Sequence, residues 1–167
     1  PAVMAAYPQS LFLGEYSIQP TSVLLRPRLW PRVGGFDPAF RSAEDREMWM
    51  RCARADAIFA YSGRETCRYR RHSTALSTHA AQMALASALI FDESANWEII
   101  PLHLRREHAS EAWVAAGRLV LRRDPHTARS YFARARSYRV TPRVLVYSAV
   151  AVGLSLFRRR VPSAPLP

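Results

Sequence analysis

Lysine is absent from this chain: all 24 basic residues are arginine. The net charge of +11 therefore carries a strong compositional bias and is not by itself a signature of nucleic-acid binding. Cysteine is scarce. Cys52 and Cys67 stand apart without a CxxC spacing, which excludes a metal knuckle and a disulfide scaffold and predicts two buried free thiols. Asp-x-Asp does not occur anywhere. No apolar run is long enough to span a bilayer with ease. The longest, Val144 to Phe157, would cover only about 21 Å of a hydrocarbon core of about 30 Å. The chain opens on Pro1 with no charged and apolar leader, so the expectation is a truncated chain without a signal peptide.

The 167 residues, 49% of them hydrophobic, suffice for one ordinary core. Charge is unevenly spread. Residues 1–100 hold 11 Arg against 10 acids, whereas residues 101–167 hold 13 Arg against 3, so the excess belongs to the tail.

Thr21 to Pro27, TSVLLRP, is a short β-branched run closed by proline and reads as a strand. Pro31, Gly34, Gly35 and Pro38 then crowd into a loop. Ser42-Ala43-Glu44-Asp45 has the form of a capping box, and Met48, Trp49, Cys52, Ala53 and Ala55 recur behind it at helical spacing, predicting a helix over about 43–54. Two further strands are expected at 57–61 and 65–71 around a Ser62-Gly63 turn. Beyond His79 the periodicity is helical, at about 79–93, 110–123, 125–138 and 142–159. Asp124-Pro125 and Thr141-Pro142 each set a capping side chain before a proline at the first helical position.

The ordered set TSVLLR, VGGFD, EDREMW and YRRH followed by ALS resembles the C-terminal half of family 2 glycosyltransferases of the GT-A fold, over about residues 9–78. The resemblance implies an α+β fragment: 1–78 as the C-terminal half of a GT-A α/β catalytic domain, and 79–167 as a helical tail. It implies an enzyme that moves a sugar, with inversion, from a nucleotide-diphosphate donor to a glycan or lipid-linked acceptor, as in assembly of cell-envelope polysaccharide. Such a transfer needs a carboxylate to take the acceptor hydroxyl proton. The family's acidic pair assigns that base to Asp45, with Glu44 orienting the acceptor. A helix N-terminus is expected to lower the pKa of the pair.

By the same resemblance Gly34 and Gly35 border the sugars, and Trp49 stacks on the acceptor. Arg70 and Arg71 help neutralise the diphosphate, and His72 is a ligand of a divalent metal, Mn²⁺ or Mg²⁺, whose other ligands lie upstream. Each residue also has a plainer role. Asp45 can serve as a capping acid, the glycines as a turn, Trp49 as core, and Arg70, Arg71 and His72 as solvated surface. The upstream nucleotide-binding half with its DxD is absent from this sequence, so the chain alone is expected to be inactive.

Two readings from other classes stand beside this one. Residues 110–142 loosely resemble one tetratricopeptide unit, with Trp113 and Gly117 on a first helix, Ala128, Phe132 and Ala135 on a second, then Pro142. One such unit cannot bury its own face, so a helical hairpin, or a helical protein-interaction module, is the alternative. The basic tail also suits an anionic membrane surface, with a cytoplasmic protein peripheral on the inner face of the membrane. Nucleic acid is not an expected partner, since the interleaved aromatics of such binders are missing.

Overall fold

The computed structural model describes residues 2–3, 7–68 and 79–157. Its elements, in order, are β1 (Ala2–Val3), α1 (Gln9–Leu13), α2 (Trp30–Val33), α3 (Glu44–Arg54), β2 (Ala60–Tyr61), α4 (Ala80–Glu93), α5 (Leu102–Val120), α6 (Pro125–Tyr138) and α7 (Pro142–Phe157). Helix dominates. The α/β sheet expected for a GT-A domain is not present among the described residues. Their only ladder joins β1 and β2 antiparallel, with Ala2 opposite Tyr61 and Val3 opposite Ala60.

The segment read as a strand at 21–27 shows how the expectation misled. Pro20 begins a short 3₁₀ turn to Ser22, and Pro27 begins another to Leu29, since proline presets φ and supplies no N–H. Between them Val23 and Leu25 rest against the core while Leu24 is fully exposed. The period-2 alternation is real, but among the described residues no neighbouring backbone pairs with it. Residues 65–68 likewise form no strand, and 69–71 lie outside the described residues. Cys52 is buried as expected, whereas Cys67 is exposed, in the described stretch 65–68 that forms no strand.

The helical half follows its sequence signals closely. The Asp124 side chain accepts from the Thr127 N–H at 3.0 Å, with Pro125 in the first turn. Thr141 Oγ1 accepts from the Val144 N–H at 3.2 Å. The exception is α5, which begins at Leu102 instead of near residue 110. Its opening turns, LHLRREH, carry enough charge to hide an apolar side formed by Leu104, Ala109, Ala112 and Trp113.

A single core cluster runs through α1, α3, α4, α5, α6 and the start of α7, taking in Phe12, Met48, Met50, Ile90, Ile100, Trp113, Ala135 and Val144. Asp92 of α4 fastens this stack, accepting from Trp113 Nε1 on α5 and from Arg134 Nε on α6, both at 2.8 Å. A smaller cluster of Ala128, Phe132 and Ala151 joins α6 to α7.

The α5–α6 hairpin closes over Gly117. A β-carbon there would sit 2.5 Å from the Phe132 ring, and Phe132 is completely buried. Ala128, Phe132 and Ala135 are all fully buried, the first two in the cluster that also holds Ala151 of α7. Gly117→Ala is therefore expected to destabilise the chain by about 1–3 kcal/mol through overpacking, even though alanine is the better helix former. Urea unfolding measures the loss, and Phe132→Leu in the same chain should recover part of it. A more stable Gly117→Ala protein would refute the close approach.

Candidate functional site

The residues singled out by the sequence gather around the first turns of α3. Ala43 takes a left-handed conformation, φ 56°, just before the helix. Ser42 is thereby turned away from the helix end. No side chain caps α3, and the Ser42 hydroxyl is buried without a partner, which corrects the capping-box expectation. Three acids, Glu44, Asp45 and Glu47, occupy the first turn instead and favour the helix through its dipole.

Asp45 is half-buried, and its Oδ1 accepts from the Arg46 N–H at 2.7 Å. Burial pushes the Asp45 carboxyl above its ordinary range. The Arg46 N–H opposes that rise, Glu44 adds to it, and the Arg46 charge only partly offsets it. The expected lowering at a helix N-terminus is thus reversed, because desolvation outweighs the dipole. A carboxylate with raised proton affinity is the better proton acceptor near neutral pH. Arg46 itself is deeply placed. It donates to the Phe12 carbonyl at 3.1 Å and lies over the Phe91 ring, 5.1 Å from the centroid, and burial lowers its pKa.

In the same first turn of α3, Glu47 is only 2% exposed and receives Arg51 through both oxygens, at 2.5 and 2.6 Å. The same guanidinium donates to the carbonyls of Val33 and of Gly35, the latter at 2.9 Å. Arg51 thus ties the Gly34-Gly35 loop to the helix that opens with Glu44 and Asp45. Gly34 ends α2 with φ 70° and donates to the Trp30 carbonyl at 2.8 Å, a conformation that favours glycine. The space a Gly35 side chain would fill is open.

Trp49 is 3% exposed, with its indole N–H donated to the Ile18 carbonyl at 3.0 Å and its ring edge-on to Phe36. The structure places it in the core, the plainer of its two roles, and not on an open acceptor surface. Arg70, Arg71 and His72 lie outside the described residues, so their roles rest on the sequence alone. Among the described residues no group of three His, Cys, Asp or Glu is arranged to hold a cation, so no donor set here supports the implied divalent metal. Comparison with protein-family models, curated proteins and solved structures finds no match.

Sequence reasoning overlooked Glu47, Arg51 and Arg46. The i,i+4 spacing of Glu47 and Arg51 was a readable signal for an ion pair on one helix face. The reach of Arg51 to residues 33 and 35 was not readable, because it depends on how α2 meets α3.

Two outcomes follow. Arg51→Ala should cost on the order of 3 kcal/mol in denaturant unfolding, because it strands a buried Glu47, while Arg51→Lys keeps the charge but loses the fork. Unchanged stability in Arg51→Ala would remove the tie. Asp45→Asn should raise the thermal midpoint at neutral pH. Because the folded-state pKa of Asp45 is raised, ionising it weakens the fold, so the advantage of Asn should open as pH rises through that pKa and vanish below about pH 4. A destabilised Asp45→Asn at neutral pH would instead make Asp45 an ordinary capping acid.

Proposed function

We propose that this chain forms the acceptor-side part of an inverting glycosyltransferase that uses a nucleotide-diphosphate sugar, with Asp45 as the general base. In the reaction the acceptor hydroxyl attacks the anomeric carbon, Asp45 takes its proton as the new bond forms, and the nucleotide diphosphate leaves from the opposite face. Glu44, adjacent in sequence, orients the acceptor and keeps the local proton affinity high.

The observation that carries this reading is the convergence of two separate motifs on one helix. The EDREMW segment holds a desolvated carboxylate at its start, and through Arg51 it grips the VGGFD loop, whose Gly35 side is open enough for a sugar to approach. A capping acid alone would want solvent and a lowered pKa, the opposite of what surrounds Asp45.

A helical interaction module is the second reading, favoured by the α4–α7 stack and the closed α5–α6 hairpin. Against it as a free-standing unit, the core of that stack continues without a break into α1 and α3.

Activity separates the two. With the full-length protein, nucleotide-sugar donor and a glycan or lipid-linked acceptor, Asp45→Asn is expected to lower turnover by about 10²- to 10⁴-fold. Circular dichroism should be unchanged, and Glu44→Gln should cost less. Residues 1–167 alone should transfer nothing. Wild-type turnover in Asp45→Asn would take Asp45 out of the mechanism, whereas an interaction module would be indifferent to that change.

A further inference from the structure

We infer that α7 lies against an anionic lipid surface, with its outward apolar side in the headgroup boundary and arginines at both ends. This rests on α7 alone and is independent of the glycosyltransferase reading.

The helix is built inside out relative to an ordinary surface helix. Its inward contacts are made by Val144, Ala151 and Ser155, with Tyr147 stacked on Phe132 and covered by Arg118. The larger apolar side chains point away from the protein. Val146 and Val150 are exposed, as is Leu145, and the C-terminal turn leaves Leu156 78% and Phe157 90% exposed. At 100° per residue, positions 146, 150 and 157 fall on one side of the helix, opposite 144, 151 and 155. Water is a poor solvent for such a row, and a contiguous exposed apolar face of this kind marks an interaction surface.

Charge selects the occupant. Residues 125–167 contain eight arginines and neither Asp nor Glu, and of these Arg134 and Arg139 are paired with Asp92 and Glu107 of the preceding helices. Arg143, exposed, opens α7, and the sequence continues past Phe157 with Arg158, Arg159 and Arg160. A second copy paired through this face would bring two arginine-rich, acid-free helical segments together, which like-charge repulsion opposes. Anionic headgroups instead supply negative charge at both ends of the apolar row. The arrangement calls for lying flat, since among the described residues no helix is long and apolar enough to cross a membrane.

The test is flotation of the 167-residue chain with vesicles of phosphatidylcholine alone or mixed with phosphatidylglycerol, run beside sedimentation in the absence of lipid. The wild-type chain should float with the anionic vesicles, and salt should weaken that binding. Leu156→Glu with Phe157→Glu should lower binding at least about tenfold at an unchanged helical signal. Val146→Glu with Val150→Glu is the parallel variant should the first not fold. Binding that is equal for wild type and variants, or equal for neutral and anionic vesicles, overturns the inference. So does a wild-type chain that stays with the aqueous phase, whether it is monomeric or a dimer that the glutamates dissolve. The dimer would assign the face to a second copy of this chain.

Discussion

The ion pair of Glu47 and Arg51 is the constraint on which the N-terminal half depends. A carboxylate 2% exposed inside a helix-rich core is tolerable only if its charge is met and its lone pairs are filled, and the Arg51 fork does both at once. Because the remaining donors of that fork reach the carbonyls of Val33 and Gly35, neutralising Glu47 also fixes where the glycine loop lies. One guanidinium thereby sets the spacing between α2 and α3. A lysine could match the charge but not three directions of donation.

The rest of α3 is arranged around that fixture. Met48, Trp49, Met50 and Cys52 fill the core beneath it, and Arg54 on the last turn donates to the Glu93 carbonyl at the end of α4. Arg46 runs beside Asp45 to the Phe12 carbonyl and over the Phe91 ring. The helix start is consequently held by packing and by side chains further along, not by a cap. This leaves Asp45 desolvated and only partly compensated, a state that costs stability and suits a group whose work is to accept a proton.

The helical tail obeys a different economy. Its last two helices are entered through tight capped turns, and α5 and α6 meet where a small residue faces a large one, Gly117 under Phe132. Asp92 supplies a polar fastening across three helices. On the outer side of α7 large apolar residues face outward, while valine, alanine and serine occupy the buried positions.

How much of this was legible depends on the range of the interactions involved. The sequence by itself determined the helices α3, α4, α6 and α7 and the proline-marked starts of α6 and α7, since capping, proline geometry and 3.6-residue periodicity act within a few positions. The close approach of Gly117 to Phe132 in the hairpin was not legible, because it depends on how α5 meets α6. The sequence misjudged the Val23–Leu25 segment and the capping role of Ser42. Alternation of side chains does not show whether a pairing strand exists, and the left-handed turn at Ala43 has no sequence marker. Only the tertiary structure decided that Trp49 is core, that Arg51 joins the glycine loop to α3, and that the Asp45 carboxyl has its proton affinity raised. Each of these depends on what lies beside a residue in space, and burial by distant segments outweighs the local helix dipole.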